Sequence, residues 1–119
     1  PVVLSSPVVG KDGTVYVGCD DRRLYAIDGA TGAVRWTFSA GDRIVSSPRI
    51  APDGAVVVGS NDGRLFAIDG ATGRKRWETP TGGAVRSSPL ITPDGLVVVG
   101  GHDRKVHAVD LATGARRWE

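Results

Sequence analysis

The chain has 119 residues, enough for one domain with a modest core. Its 15 basic and 13 acidic residues give a net charge of +2, too small an excess to indicate a nucleic-acid partner. No apolar run approaches the roughly 18 residues of a membrane-spanning helix, so we expect no membrane insertion. The 17 glycines and 7 prolines favour short strands joined by tight turns.

One sequence unit occurs three times, and each copy begins 41 residues after the previous one. The triplet Ser-Ser-Pro stands at 5–7, 46–48 and 87–89, and the pair Asp-Gly stands at 12–13, 53–54 and 94–95. A constant step between several landmarks is the signature of a repeat architecture. We therefore treat 1–119 as a single segment and divide it into three units, 1–41, 42–82 and 83–119.

Each unit is predicted to begin with two short strands. In the first unit these are Leu4 to Val9 and Thr14 to Cys19, separated by an Asp-Gly turn. Another turn follows, and in the second unit it contains Gly63 where the first and third have Arg22 and Arg104. A positive backbone torsion kept at either arginine would be strained, because the side chain disfavours it.

Two more strands complete the unit. The third strand is predicted over Leu24 to Asp28, Leu65 to Asp69 and Val106 to Asp110, and the fourth over Val34 to Phe38, Lys75 to Thr79 and Arg116 to Glu119. The fourth strand alternates charged residues with tryptophan, as an outer strand with one solvated face would. Four antiparallel strands in about 41 residues form the unit of a propeller blade, so the fold class is all-β, a β-propeller with three blades per chain.

A motif of spacing Ala-x-Asp-x-x-Thr-Gly-x-x-x-Trp joins the last two strands of every unit. Its Asp can accept hydrogen bonds from the turn, and its Gly supplies a left-handed residue, so the motif predicts a hairpin that fixes the position of the tryptophan. We expect each ring to lie against the flat face of the next blade and to hold the blades together. The predicted docking residues are Ala26, Asp28, Thr31, Gly32, Trp36, Ala67, Asp69, Thr72, Gly73, Trp77, Ala108, Asp110, Thr113, Gly114 and Trp118.

On this motif the sequence resembles the pyrroloquinoline-quinone-type (PQQ-like) propeller repeat, which is marked by a tryptophan-docking motif. All three copies match it at the Ala, Asp, Thr, Gly and Trp positions. The resemblance implies the propeller fold. It leaves the function open, because the same blade builds quinoprotein dehydrogenases, scaffolds of outer-membrane protein assembly and sensor domains.

The resemblance also implies what a dehydrogenase would need: calcium ligands from Glu, Asn and Asp around the quinone and, in many members, an adjacent cysteine pair. This chain departs from that pattern. Glu78 and Glu119 follow the tryptophans on outer strands, Asn61 lies in a turn, and Cys19 is the single cysteine. We therefore expect no cofactor, no metal and no catalytic residue.

Two further positions differ between the units. Arg49 stands where the other units have Val8 and Leu90, on the predicted innermost strand, so it either lines the central channel or is an ordinary surface residue. His107 takes the place of Tyr25 and Phe66, which favours an aromatic packing position. A metal pair with His102 is the alternative, but no third ligand is evident.

These observations favour a non-catalytic propeller scaffold for protein–protein interaction or assembly. The alternatives are a fragment of a PQQ-dependent dehydrogenase whose cofactor residues lie outside this chain, and a designed or excised repeat fragment whose only activity is self-assembly. Propellers typically have about four to eight blades. Since two chains would supply six blades, we expect the chain to associate with itself as a homodimer forming one six-bladed ring, and another protein partner is possible.

Overall fold

The computed structural model describes residues 6–44, 46–85, 88–100 and 105–118. Within these ranges the chain is all-β and contains no helix. Four residues named in the expectations above lie outside the described ranges: Leu4, His102, Arg104 and Glu119.

In the described part of the chain, twelve strands form three separate four-stranded antiparallel sheets. Blade 1 contains β1 (Val8–Val9), β2 (Thr14–Gly18), β3 (Arg23–Asp28) and β4 (Val34–Ser39). Blade 2 contains β5 (Arg49–Ile50), β6 (Ala55–Gly59), β7 (Arg64–Asp69) and β8 (Lys75–Pro80), and blade 3 contains β9 (Leu90–Ile91), β10 (Leu96–Gly100), β11 (Val106–Asp110) and β12 (Arg116–Trp118). In each blade the strands pair in chain order, so the predicted fold class is confirmed.

The core lies between the blades, in two layers. Strand β6 contributes to both layers. Val56 and Val58 face blade 1 and pack with Leu24 and Ile44, whereas Val57 faces blade 3. Every residue of β6 is buried as a result. Alternate side chains of a strand point to opposite faces of its sheet, so a strand covered on both faces is apolar throughout.

The turn at Arg22 has the same backbone conformation as the equivalent turn of blade 2, which has Gly63 at this position. Arg22 has φ of 75° and Gly63 has φ of 86°, and Arg22 is the one non-glycine residue with positive φ in the described ranges. The Arg22 amide donates to the Cys19 carbonyl at 3.2 Å, as the Gly63 amide does to the Ser60 carbonyl at the same distance. The torsion expected to be strained is therefore kept in blade 1.

Candidate functional site: the tryptophan contacts between blades

The turn that precedes each tryptophan is built by its aspartate and glycine. In blade 1, Asp28 Oδ1 accepts hydrogen bonds from the amides of Ala30 at 2.8 Å and Thr31 at 3.2 Å. The Gly32 amide donates to the Asp28 carbonyl at 2.8 Å, and Gly32 has φ of 78°. The equivalent bonds recur in blades 2 and 3. The turn thus uses the side chain of one residue and the left-handed torsion of another.

A bulge in the following pairing sets the tryptophan's register. Ala26 pairs with Trp36, but the next residue, Ile27, pairs with Val34, so one residue of β4 is left over between them. The same shift occurs at Ala67 and at Ala108. A bulge bends the strand and redirects its side chains.

Trp36 of blade 1 contacts the turn of blade 2. Its Nε1 donates to the Gly70 carbonyl at 3.0 Å, and that carbonyl also accepts from the Tyr16 hydroxyl at 3.1 Å. The ring covers Gly73 so closely that a Cβ on this glycine would lie 2.7 Å from Cδ2 of Trp36. The ring therefore contacts a turn, where the missing side chain leaves room for it, and it also packs against the apolar cluster between blades 1 and 2.

Trp77 of blade 2 repeats this contact on blade 3. Its Nε1 donates to the Leu111 carbonyl at 2.7 Å, and a Cβ on Gly114 would lie 2.6 Å from Cδ2 of the ring. Trp77 is only 7% exposed. Each indole thus buries its ring and satisfies its N–H at the same neighbouring turn.

The two outer blades each present one half of this contact to solvent. On blade 3, Trp118 is 49% exposed and Val106 is 50% exposed, whereas Leu24 and Leu65, the counterparts of Val106, are fully buried. On blade 1, a Cβ on Gly32 would meet no atom of the described residues within 4 Å. We call Val106 and Trp118 the open face of blade 3, and the turn 28–32 the open turn of blade 1.

In blades 1 and 2, the arginine directly before the tryptophan joins two turns of its own blade. Arg35 contacts Asp12 at 3.4 Å and Asp28 at 3.2 Å. Arg76 likewise contacts Asp53 at 2.8 Å and Asp69 at 3.4 Å. Sequence reasoning missed this bridge, although an arginine before all three tryptophans was visible. Arg117 reaches Asp110 at 3.4 Å in blade 3.

The aspartates of these bridges have lowered pKa values. The Ala55 amide, followed by Arg76, holds the pKa of Asp53 below its ordinary value of 3.8. The Ala71 amide and then Arg76 act in the same way on the pKa of Asp69. A carboxylate whose pKa is lower in the folded chain contributes stability above its ordinary pKa, and this stability is lost as the pH falls through the lowered value.

The free energy of unfolding should therefore decrease as the pH falls below about 4. Denaturant titrations at about pH 6 and about pH 3 measure this decrease. The matched control is the double variant Asp53→Asn, Asp69→Asn, in which neither carboxylate of the blade 2 bridge titrates. It should lose less stability than the natural sequence over the same interval, and an equal loss would show that these two groups carry none of it.

The remaining expected site residue, Arg49, lies on the inner strand β5. It is exposed and lines a hollow with Val9 and Lys11. Cys19 is buried, and burial raises the pKa of its thiol. His107 is buried on β11, in the packed position that its counterparts Tyr25 and Phe66 suggested.

Comparison with known proteins identifies the family. The family model described as outer membrane protein assembly factor BamB matches residues 2–119. The chain belongs to this family. No curated protein matches it.

Solved structures similar to this BamB-family chain fall into two groups. BamB from Moraxella catarrhalis is 30% identical, with a TM-score of 0.82 over 96% of this chain and 35% of its own. Quinohemoprotein alcohol dehydrogenase ADHIIG from Pseudomonas putida HK5 is 26% identical, with a TM-score of 0.83 over 96% of this chain and 20% of its own. The quinohemoprotein alcohol dehydrogenase of Comamonas testosteroni is 30% identical, with a TM-score of 0.81 over the same two shares.

The BamB-family chain thus spans about a third of one relative and a fifth of the other two. Its resemblance to the PQQ-type propellers is confirmed. The described residues include no helix that could span a membrane.

The residues described in this BamB-family chain do not fit a quinone with calcium. Within those ranges, no group of three His, Cys, Asp or Glu side chains could hold a metal ion. Glu78 pairs with Lys75 and with Arg64 on the outer edge of blade 2. Hard cations need several converging oxygen ligands, which Glu78 in this position does not help to supply.

Proposed function

We propose that this chain is a non-catalytic β-propeller scaffold for protein–protein interaction, and that a second copy completes it to one six-bladed ring. The observation that carries the proposal is the pair of open surfaces on the outer blades. Inside the chain, an equivalent tryptophan covers an equivalent turn twice. The open face of blade 3 carries the same tryptophan, and the open turn of blade 1 carries the same glycine.

The docking residues act in this proposal as the contacts that hold blades together. The Asp and Thr of each motif shape the turn, its Gly leaves room for the ring, and its Ala pairs with its own tryptophan. A head-to-tail contact between copies closes into a ring if the rotation suits and otherwise extends as a filament. Two copies give six blades, within the usual range, whereas three give nine.

The scaffold role is supported by the family to which the chain belongs. BamB is described as an outer membrane protein assembly factor, which is a role in interaction rather than in catalysis. Fold alone does not determine function, so the same similarity also leaves a dehydrogenase fragment as a second candidate. Two quinohemoprotein alcohol dehydrogenases among the similar structures favour that candidate.

Light scattering over a range of concentrations tests the self-association. We expect a mass of twice the 12.4 kDa of one chain, and we expect Trp118→Ala to return it to one chain. Leu90→Ala is the matched control, because Leu90 is also an exposed apolar residue of blade 3 but lies on the inner strand. It should leave the mass at two chains.

Two results of the same experiment would contradict the ring. A mass of one chain at every concentration, with cooperative unfolding, would show that the open surfaces do not pair. A mass that grows without limit would indicate the filament. Separately, stoichiometric binding of pyrroloquinoline quinone with calcium, accompanied by dye reduction, would contradict the non-catalytic assignment.

A further inference from the structure

A crevice separates blades 1 and 2 on the side of their β1–β2 and β5–β6 turns. It encloses a cavity of about 250 Å³ whose lining is mainly apolar. The blade 1 wall includes Gly10, Lys11, Asp12 and Tyr16, and the blade 2 wall includes Ile50 and Ala71. We call this cavity the blade 1–2 crevice.

The crevice is open because two positions lack side chains. Gly70 stands where blade 3 has Leu111, which packs against the core between blades 2 and 3. Gly10 stands where blade 2 has Ala51, and a Cβ on Gly10 would press on the Tyr16 ring at 3.3 Å. Tyr16 occupies part of the space and donates its hydroxyl to the Gly70 carbonyl. What remains is an apolar hollow with a tyrosine in its wall.

Two cations lie beside this hollow. Lys11 lines the crevice and also a second hollow of about 460 Å³, which continues along the inner strands and is lined by Arg49. Neither side chain forms an ion pair with a residue that the structure describes. The carboxylate of Asp12, which also lines the crevice, is bound by Arg35 and by the Thr14 amide. The crevice thus combines apolar walls with positive charge that is not neutralised within the described chain.

The equivalent crevice between blades 2 and 3 lacks these two cations, because Pro52 and Leu90 stand where the blade 1–2 crevice has Lys11 and Arg49. It is lined by Asp53, Asp94 and Asp110, beside Leu111 and Ala112. A ligand that recognised only the general shape of a blade boundary would enter both. A negatively charged ligand distinguishes them, because aspartates lie at both boundaries but Lys11 and Arg49 attract the ligand at only one.

We propose that the blade 1–2 crevice binds an extended acidic segment of a partner protein, with an apolar side chain in the cavity and carboxylates at Lys11 and Arg49. The two hollows share Gly10, Lys11, Ile50, Ala51 and Pro52, so they form one elongated depression. An extended chain advances about 3.3 Å per residue and directs alternate side chains to opposite sides. A segment with apolar and acidic residues in alternation therefore suits a depression that is lined by apolar residues together with Lys11 and Arg49.

This inference rests on the proposed scaffold role, since it names the chemistry of a partner, but not on ring formation. Both walls of the crevice belong to one chain. A dimer that binds no acidic segment would overturn this inference alone, and a monomer that binds one would overturn the ring alone.

The test uses nuclear magnetic resonance of the isotope-labelled chain with a capped hexapeptide of alternating leucine and glutamate. We expect saturable shifts of the amide resonances of Lys11, Ile50, Ala51 and Ala71, and none at Leu111 and Ala112 in the acidic crevice. Lys11→Gln and Arg49→Gln should each weaken binding about two- to fivefold, the usual effect of one exposed charge pair. Arg23→Gln, an exposed cation on β3, is the matched control and should leave the affinity unchanged.

The same peptide with glutamine in place of glutamate should bind at least about fivefold more weakly. Equal binding of the two peptides would overturn the proposal, as would shifts centred on blade 3 or no saturable shift. A capped leucine and free glutamate, added together as separate molecules, test for a small-molecule site. If that mixture gives the same shifts at similar concentrations, the proposal of an extended segment is wrong.

Discussion

Replacing Trp77 by alanine is expected to lower the free energy of unfolding by about 3–5 kcal/mol, the usual range for truncating a large buried aromatic residue. The ring is almost completely covered by the turn of blade 3, and its N–H donates to the Leu111 carbonyl. Truncation would leave both a cavity and an unpaired carbonyl between two blades. Chemical denaturation of the two proteins measures the difference.

Trp118→Ala is the matched control for Trp77→Ala. Its ring belongs to the same motif but is half exposed, so in a monomer its removal should cost less than about 1 kcal/mol. The comparison must be made at a concentration where light scattering gives the mass of one chain. A loss below about 1 kcal/mol for Trp77→Ala would show that the ring does not hold blades 2 and 3 together.

The turn glycines under the rings should be almost as sensitive. Gly114→Ala is expected to cost about 2–4 kcal/mol, since a Cβ there is disfavoured by the backbone and also collides with Trp77. The φ of Gly114 is 76°, and the nearest ring atom would lie 2.6 Å from the added carbon. Either the ring must move away or the turn must change.

The variant Gly32→Ala measures the cost of backbone strain without the cost of collision with a tryptophan ring. Gly32 has φ of 78°, almost the value at Gly114, but no atom of the residues that the structure describes lies within 4 Å of an added Cβ. Its replacement should therefore cost only the backbone strain of about 1–2 kcal/mol. Both variants are best measured in the Trp118→Ala background, so that no second copy covers Gly32. Equal losses would mean that contact with the tryptophan contributes nothing at Gly114.

The regular part of the fold could be predicted because it repeats. The 41-residue step, the Asp-Gly turns and the motif before each tryptophan fixed four strands per unit, and the predicted ends differ from the observed ones by about one residue where the structure describes both. Strand β1 is the exception: the prediction began it at Leu4, outside the described ranges, and the observed strand contains only Val8 and Val9.

The features that could not be predicted from the sequence depend on contacts between turns and between blades. Arg35 pairs with Asp12, which lies 23 positions before it, and with Asp28, which lies 7 positions before it. Each ion pair alone resembles an ordinary surface pair, and the bridge is recognised only when the two turns are seen together. The blade 1–2 crevice depends on Gly10 and Gly70, two glycines in different blades whose missing side chains meet across a boundary. Arg49 was noticed as a difference between repeats, but its neighbour Lys11 was not.

The two tryptophan hydrogen bonds between blades each join residues 34 positions apart in the chain. In the residues that the structure describes, every strand pairs only with strands adjacent to it in sequence. Neither this pairing nor the tryptophan hydrogen bonds therefore require the two ends of the chain to meet first. Folding rates fall as the contacts of a protein become more distant in sequence. Folding of this chain can consequently begin at either pair of neighbouring blades and proceed by adding the third, as in other linear repeats, whereas closing the proposed ring would be a later step with its own concentration dependence.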